Sequence, residues 1–563
     1  MKAIIFNMAT ILAAGITLCS CEVAFLDEKQ FTDPGGNTFF TENKDYETAV
    51  YAIYSTMSNG SEWGVWGRGL VVAGEIGTDE MYAGSINQVN ILQLETYSAM
   101  SGDNQTVEHI WRVAYAAINR ANLVINTIDG LADPTDFHRS IRGEAAFLRA
   151  LAYFNLVKNF GGVQYKVLLS QPDDNFDIPR SKVEDIYDLM IDDLEYAVNS
   201  LPGSQQQLGR ATSLSAMAIL SKVYLFMASH KRHNVITGEL KLGDINSYDW
   251  VDEIDAYTKA KDWAKTVLDL LGGEADVLMA DFAHAFYPYE NSKEALFEVQ
   301  YSSNQTADQG SFLPSLYGPQ GESRLGGGQN TLHPLYCELF EGDKMTLGTP
   351  RFKRSICDYR LPPTYASGYS ETYLTNSYSW TGGKFKLDPN HNYPYNKGPH
   401  NYPVIRSSEV CLIYSEALAE LEGVSDAAFK YVNIVRARSR ETSLSQANFV
   451  NYLNNPDIPL MRGYVQPTSD IEWFRLVIMN ERKWELLGEG HRWYDLVRMG
   501  LLVKSVQAIQ QQNEDYMNSS NATDKNKAYP GTRRISNYHV LRPLPNREIE
   551  LTHRALRQNY GYR

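Results

Sequence analysis

The residues whose types and spacing could carry acid/base chemistry are concentrated between positions 481 and 500. This segment reads ERKWELLGEGHRWYDLVRMG and places His491 among carboxylates and guanidinium groups. A histidine in such surroundings could transfer protons near neutral pH. The alternative is a network of buried ion pairs that joins two helices. We favour the network, because charges packed this densely among aromatic residues must pair when they are buried.

The local structure that must position these charges is indicated by the Gly-Glu-Gly sequence at 488–490. Two glycines so close together interrupt a helix, and the segment therefore predicts a helix, a corner and a second helix. Glu489 lies three positions before Arg492, a spacing that brings side chains together on a helix. Asp495 and Arg498 have the same spacing. We predict both as ion pairs.

Three other blocks of sequence accompany this segment. Residues 142–163 read RGEAAFLRALAYFNLVKNFGGV, residues 404–438 read VIRSSEVCLIYSEALAELEGVSDAAFKYVNIVRAR, and residues 541–562 read LRPLPNREIELTHRALRQNYGY. In this order, and together with 481–500, they resemble the SusD/RagB family, the surface glycan-binding lipoproteins of Bacteroidetes. The resemblance implies a mainly α-helical, tetratricopeptide-like scaffold of helix pairs, although the strict repeat signature is absent.

Periodicity divides the chain after its N-terminus into three parts. We predict an N-terminal helical part at 44–272, a loop-rich insertion with a few short strands at 273–405, and a C-terminal helical part and tail at 406–563. Long irregular segments usually carry function, so the insertion is the predicted ligand-binding part. Ser181 and Glu184 have the spacing of a capping box. The predicted elements are helices at 46–57, 108–128, 136–160, 181–200, 212–229, 257–271, 407–422, 426–440, 470–487 and 491–512, and a strand at 294–301.

The N-terminus predicts export and lipidation. Residues 1–20 form a signal peptide, in which Lys2 precedes an apolar run too short to span a membrane. Small Ser20 precedes Cys21, the predicted acylated residue, and ordinary signal cleavage is the alternative. A polar stalk follows at 21–43. The resemblance implies a lipid-anchored protein of the outer membrane that faces outward.

The composition disfavours several classes of function. The 563 residues carry a formal net charge of −15, which disfavours nucleic acid and anionic lipid and is compatible with a neutral sugar. We find no HExxH, GxSxG, phosphate-loop or DxDxDG-type motif, so no catalytic residue, metal ligand or cofactor is predicted. Asp79 and Glu80 are adjacent carboxylates of the kind that glycosidases use, but sequence does not give their separation across a sugar.

The cysteines leave one question open. Cys411 lies on an apolar helix face and is predicted to be buried. Cys337 and Cys357 could form a disulfide in an exported protein, and the sequence does not decide whether they do.

Aromatic loops hold the residue types that sugar recognition needs. The C–H face of a sugar ring stacks on an aromatic ring, and its hydroxyls bond to amides, carboxylates and guanidinium groups. The segments 62–82, 301–330 and 377–385 combine both kinds of residue. For each residue the alternative is structural, because a loop tryptophan or tyrosine often packs against the core and Arg324 could pair on the surface. The glycan-binding candidates are Trp63, Trp66, Tyr82, Tyr301, Phe312, Tyr317, Arg324, Gln329, Asn330, Tyr378 and Trp380.

The family resemblance implies a non-enzymatic function. Such a protein captures oligosaccharide or polysaccharide and delivers it to a SusC-like TonB-dependent transporter in the outer membrane, which it covers as a lid. Three alternatives stay open: a RagB-like lid that captures peptides, a surface glycosidase, and a helical scaffold that binds only protein.

Overall fold

A computed structural model describes most of the chain. Contacts between residues divide it into two units, one that ends at Thr48 and one that begins at Ala49. The first helix begins in the smaller unit, and all elements after it belong to the larger one. The described residues are 39–58, 65–83, 88–171, 173–205, 207–287, 292–302, 310–318, 330–332, 349–360, 372–373, 380–387, 398–454, 467–525, 528 and 531–562.

Eight α-helices precede the insertion in the described chain. Several begin at a side-chain oxygen that accepts hydrogen bonds from the first free backbone N–H groups. The Asn104 side chain accepts from the backbone nitrogens of Thr106 and Val107, and the Thr212 hydroxyl accepts from that of Ser215. The helices are α1 (Asn43–Ser58), α2 (Leu70–Glu75), α3 (Val89–Thr96), α4 (Gln105–Asp129), α5 (Asp136–Phe160), α6 (Val183–Ser200), α7 (Ser213–Arg232) and α8 (Glu253–Leu270).

Further helices lie in the insertion and after it. Short 3-10 turns occur before the insertion at Gly238–Lys241, within it at Gly273–Ala275 and Phe282–Phe286, and after it at Asn537–Val540. The α-helices are α9 (Leu313–Leu316), α10 (Pro350–Ser355), α11 (Ser407–Glu422), α12 (Asp426–Arg438), α13 (Phe449–Leu453), α14 (Asp470–Glu485), α15 (Arg492–Arg498), α16 (Leu502–Asn518), α17 (Ala522–Lys525) and α18 (Asn546–Leu551).

The long helices form one continuous stack. Each of α4 to α7 packs against the next helix in sequence, and α8 packs directly against α11, although residues 271–406 lie between them. Helix α11 packs in turn against α12 and α14. Neighbouring helix pairs that share a core are the arrangement of tetratricopeptide-like scaffolds. The prediction of a mainly α-helical scaffold that the insertion interrupts is confirmed.

The strands are short and antiparallel. Among the described residues they form sheets in the orders β1-β3-β7-β4, β2-β8 and β5-β6. Ala295 pairs with Arg406, so the strand pair β2-β8 joins the two ends of the insertion where they meet the helical stack. The strands are β1 (Met81–Ala83), β2 (Ala295–Val299), β3 (Asn330–Leu332), β4 (Ile356–Cys357), β5 (Tyr359–Arg360), β6 (Thr372–Tyr373), β7 (Thr381–Gly382) and β8 (Tyr402–Arg406).

Two local predictions are wrong. The predicted helix at 491–512 is divided into α15 and α16, because Gly500 adopts a φ of +65° and ends the first of them. The predicted capping box lies one residue too early. Helix α6 begins at Val183, and the carboxylate of Asp185 accepts from the backbone nitrogen of Lys182 at 3.1 Å.

None of the helices in the described part of the chain is long and apolar enough to cross a membrane.

Candidate functional site

One small sheet joins the three sequence segments that we predict to bind ligand. Tyr82 of β1 pairs with Thr331 of β3, and Thr331 pairs with Thr381 of β7. Asn330 belongs to β3, and Trp380 directly precedes β7. Segments 62–82 and 301–330 therefore end in adjacent strands, and segment 377–385 runs through the next strand.

The turn before α2 brings two further side chains to this region. Residues Val65–Gly69 form a π-helical turn, a rare conformation that often lies at functional sites. The ring of Trp66 is buried, 6.4 Å from the ring of Tyr402. The guanidinium of Arg68 donates to the Gln88 side chain at 3.0 Å. Arg68 was not among the sequence candidates, and its position between two glycines is the signal that could have identified it.

Tyr301 and Phe312 approach the π-helical turn at Gly67. A Cβ atom at Gly67 would lie 2.7 Å from the Tyr301 hydroxyl and 3.9 Å from the Phe312 backbone nitrogen, so this contact requires glycine. Phe312 is buried and Tyr301 is half-buried. Among the described residues the Tyr301 hydroxyl has no hydrogen-bond partner, which is unusual for a buried polar atom.

Tyr317 and Trp380 lie in the interior. The Tyr317 hydroxyl donates to the Gly488 carbonyl at 2.9 Å, and its ring centroid is 5.5 Å from that of Phe385. Trp380 packs edge-on against Phe352, and its Nε1 has no partner within the described ranges. Neither ring offers an open face to a sugar in this conformation, so a ligand contact at either residue stays a prediction.

Tyr82 and Asn330 lie on the strands β1 and β3. Tyr82 is half-buried and packs against Ile509. Only the backbone of Asn330 is described. Four candidates lie outside the described residues, and their roles stay predictions: Trp63, Arg324, Gln329 and Tyr378.

The segment 481–500 has the predicted helix, corner and helix. Gly488 and Gly490 turn the chain with φ of +78° and +83°. The pair Asp495–Arg498 is confirmed, with 2.9 Å between Oδ1 and Nε. The predicted pair of Glu489 with Arg492 is wrong, because Glu489 lies in the corner and not on α15, where the helical spacing would apply.

Glu489 instead bonds to two basic side chains, Arg406 and Lys384. Both of its carboxylate oxygens accept from Arg406 of β8, each at 2.7 Å. Lys384, from the insertion, donates to the same carboxylate at 2.7 Å. Arg406 also contacts Glu294 at 3.0 Å and Glu485 at 3.1 Å. All five side chains are at most 1 % exposed. The network therefore connects the insertion to the last helices.

A second part of the network reaches the N-terminal half. Arg492 makes a two-point contact with Asp79, at 2.7 Å for each bond. One oxygen of Glu75 accepts from the backbone nitrogens of Gly490 and His491, at 2.6 and 3.1 Å. These contacts fix the corner between α14 and α15 to the segment that leads into β1.

Pairing and burial decide the protonation of Glu485 and His491 in this network. Burial alone would raise the pKa of Glu485, but Arg438 and Arg406 hold that pKa well below its ordinary value. Burial and the neighbouring Lys222 lower the pKa of His491 to about 3, so its imidazole is neutral. Its Nδ1 lies 3.3 Å from Lys222 Nζ. A half-buried, neutral imidazole beside paired charges has the surroundings expected of a structural group, and the structural role of His491 stays a prediction.

The carboxylate pair that suggested a glycosidase is also interior. Asp79 and Glu80 are 5 % and 1 % exposed. Asp79 is bound by Arg492, and Glu80 faces the carboxyl group of Glu75. A glycosidase needs its two carboxyl groups to flank an open sugar site. Asp79 and Glu80 instead lie within the buried ion-pair network.

Metal and cysteine chemistry receive no support from the described residues. Within them, no group of three or more histidine, cysteine, aspartate or glutamate side chains could hold a metal ion. Cys411 is buried, as predicted, and Cys357 is a buried free thiol. Cys337, the other half of the possible disulfide, lies outside the described residues.

Known proteins resemble this chain over nearly its whole length. A sequence model of the SusD family matches residues 365–562, and a model described as starch-binding and associating with outer membrane matches residues 25–225. A SusD-like protein of Formosa agariphila is 24% identical over 566 residues, which cover 97% of each chain.

Solved structures agree with the sequence comparison. A SusD homologue of Bacteroides thetaiotaomicron superimposes with a TM-score of 0.74 at 21% identity, and the match covers 95% of this chain and 100% of that one. A laminarin-binding SusD-like protein superimposes with a TM-score of 0.64 at 22% identity, and the match covers 92% and 99%. At such identities the superpositions show the tetratricopeptide-like fold, and the sequence models show the relationship. The chain belongs to the SusD/RagB family.

Proposed function

We propose that this protein binds oligosaccharide or polysaccharide at the cell surface and does not cleave it. The observation that carries the proposal is the sheet β1-β3-β7-β4 in a chain of the SusD/RagB family. Two of the three aromatic, amide-rich segments end in adjacent strands of this sheet, and the third runs through the next strand. The laminarin-binding protein with the same fold supports a glycan as the ligand.

The mechanism is capture by stacking and hydrogen bonding. Aromatic rings in the loops hold the apolar faces of sugar rings, and polar atoms at the ring edges bind the hydroxyls. The Tyr301 hydroxyl and Trp380 Nε1 both lack partners among the described residues, so each could bond to a sugar hydroxyl after a small movement of the adjoining loop. Such binding requires no proton transfer, in agreement with the paired state of the buried carboxylates.

The proposal includes delivery of the glycan to a transporter. A SusC-like TonB-dependent barrel in the outer membrane receives the captured chain when the protein closes over it as a lid. An acylated Cys21 anchors the protein beside that barrel with the binding loops facing outward. The sequence model that matches residues 25–225 is described as associating with outer membrane, which supports this location.

The binding proposal is tested with the soluble chain that begins at Glu22. A glycan array that includes laminarin and starch identifies a ligand, and isothermal titration measures its affinity. We expect Trp63→Ala to weaken binding about tenfold or more, equal to roughly 1.4 kcal/mol. Trp250→Ala is the matched control, because Trp250 is a half-buried tryptophan whose Nε1 bonds to the Ser247 carbonyl at 2.9 Å.

Three results would contradict the proposal. The first is the absence of binding to every glycan on the array. The second is binding of peptides alone in the same titration, as a RagB-like lid would show. The third is steady release of reducing ends from a bound polysaccharide, which would identify a glycosidase.

Anchoring is tested separately in cells. Cys21→Ser should abolish labelling by radioactive palmitate and release the protein from the outer-membrane fraction, whereas Cys19→Ser should leave both unchanged. Retention of the label in Cys21→Ser would contradict lipidation at this residue.

A further inference from the structure

A separate open pocket lies at the end of α1. Its volume is about 180 Å³. It contains no residue from the list of predicted glycan contacts. We call it the Tyr51 pocket. Its lining residues are Tyr51, Tyr54, Met57 and Ser58 of α1, Gln207–Arg210 before α7, Phe297–Val299 of β2, and Gln300 directly after β2.

One wall of the Tyr51 pocket is an exposed aromatic surface. The Tyr51 side chain is 39 % exposed, and its hydroxyl donates to the Gln207 side chain at 3.0 Å. The guanidinium of Arg210 lies 5.5 Å from the centre of the Tyr51 ring. Leu208 is 62 % exposed beside it. The wall therefore combines an apolar surface with a polar edge.

The floor of the pocket holds the carboxylate of Glu298, and the hydrogen bonds of this carboxylate among the described residues all reach one of its two oxygens. Glu298 is only 8 % exposed. Its Oε1 accepts from the amide groups of Gln300 and Asn401, each at 2.8 Å. Among the described residues no hydrogen bond reaches its Oε2. Burial raises the pKa of Glu298 to about 6, which reflects the cost of keeping this charge out of water. A ligand that donates hydrogen bonds to Oε2 would reduce that cost.

The pocket is already formed. Tyr54 is fixed from both sides, since its hydroxyl donates to Glu144 at 2.7 Å and accepts from the backbone nitrogen of Ala211 at 2.9 Å. Arg210 is bound to the same carboxylate of Glu144, with 2.9 Å between Nε and Oε2. A rigid pocket requires little ordering when a ligand enters, which favours binding.

We propose that the Tyr51 pocket binds one neutral sugar residue of a glycan chain, as a second contact apart from the predicted binding segments. This inference rests on the proposed function. The volume lies below the roughly 300 Å³ at which pockets for drug-sized ligands begin, so it suits a single ring. The exposed part of the Tyr51 ring, which the Arg210 guanidinium leaves uncovered, matches the C–H face of a sugar. Glu298 Oε2 can accept from the hydroxyl donors of that sugar.

Charge selects against acidic ligands. Arg210 is neutralised by its ion pair with Glu144, and Glu298 has no cationic partner among the described residues. An anionic sugar would therefore face an uncompensated carboxylate. The pocket should discriminate against uronic acids and sulfated sugars.

The test compares long and short ligands. In titrations with laminarin or starch, whichever the wild type binds, Tyr51→Ala should weaken affinity for the polymer about tenfold or more, because the second contact is lost. The affinity of Tyr51→Ala for short oligosaccharides that fill only the main site should equal that of the wild type. Tyr165→Ala is the matched control, because Tyr165 is 40 % exposed elsewhere on the chain.

A direct measurement uses glucose and glucuronic acid as probes. Saturation-transfer NMR should show contact of glucose with Trp63→Ala, in which the main site is weakened. That contact should be lost when Tyr51→Ala or Glu298→Gln is combined with Trp63→Ala. Glucuronic acid should give no signal from this pocket. The melting temperature of Tyr51→Ala reports whether this variant folds. If it does not fold, Gln300→Ala replaces it as the variant of the pocket.

The outcomes separate the two proposals. Equal polymer affinity of Tyr51→Ala and wild type, with equal glucose contact of Trp63→Ala before and after Tyr51→Ala is added, would overturn the Tyr51 pocket and leave the glycan function intact. Absence of all glycan binding by the wild type would overturn both.

Discussion

Arg406 and Glu489 form a two-point ion pair inside the protein, with both nitrogen–oxygen distances equal to 2.7 Å and each side chain 1 % exposed. Arg406 ends the strand that closes the insertion, and Glu489 lies in the corner between α14 and α15. This pair therefore joins the part of the chain that carries the predicted binding loops to the most charged part of the helical scaffold.

Removing one partner of this pair should destabilise the protein strongly. Arg406→Met would leave Glu489 and Glu485 buried with less compensation, and we expect a loss of about 3–5 kcal/mol in the free energy of unfolding. The control is Lys265→Met, which breaks an exposed pair with Asp269 and should cost less than about 1 kcal/mol. Denaturant unfolding of both variants measures the difference, and equal losses would contradict a structural role for Arg406.

His491 provides the test between catalysis and structure. Its imidazole is neutral and lies beside the pair formed by Lys222 and Glu409, so His491→Ala should lower the free energy of unfolding by roughly 1 kcal/mol through a lost hydrogen bond. Glycan affinity of the folded fraction should not change. A selective loss of affinity at an unchanged melting temperature would show that His491 contacts the ligand.

Glu75 and Glu80 predict a dependence of stability on pH. Burial raises the pKa of Glu75 to about 7, and the two carboxyl groups are close enough to share a hydrogen bond, which needs a proton between them. Without that proton, Oε2 of Glu75 has no partner among the described residues. Between the ordinary pKa of about 4.5 and about 7, the folded state binds more protons than the unfolded state. The pair's contribution is thus fully present below about 4.5 and is lost as pH rises towards 7.

Glu75→Gln isolates this contribution. The amide does not titrate, so the variant should lack the decline in unfolding free energy between about pH 4.5 and 7, which for one proton is roughly 1.4 kcal/mol per pH unit. Stability measured across this range for variant and wild type gives the comparison. Parallel curves would mean that the carboxyl pair does not hold an extra proton in the folded state.

Local sequence signals predicted most helices of the fold. The bounds of α5 and α11 agree with the predicted 136–160 and 407–422, because a glycine directly after each helix marks its end in the sequence. The break at Gly500 was missed, since a single glycine inside an amphipathic pattern is compatible with a continuous helix.

Ion-pair partners were much less predictable than helices. Sequence suggested Glu489 for Arg492 because they are near in the chain, but the partner of Arg492 is Asp79, which lies 413 positions away. Spacing along a helix gives only local partners, and tertiary packing chooses among all others. For the same reason the convergence of Tyr82, Asn330 and Trp380 on one sheet had no local signal.

Tyr317 was predicted to contact sugar, and a substitution at this residue can show whether it stabilises the fold instead. Its ring is fully buried and its hydroxyl donates to the Gly488 carbonyl, in the corner that the charge network fixes. Tyr317→Phe keeps the packing and leaves that buried carbonyl without this donor, so we expect a loss of about 1–3 kcal/mol in unfolding free energy. Tyr51→Phe is the control, because its hydroxyl bonds to an exposed side chain and its loss should cost little. If Tyr317→Phe instead weakened glycan binding at unchanged stability, the hydroxyl would have to reach the ligand, and the bound protein would differ here from this conformation.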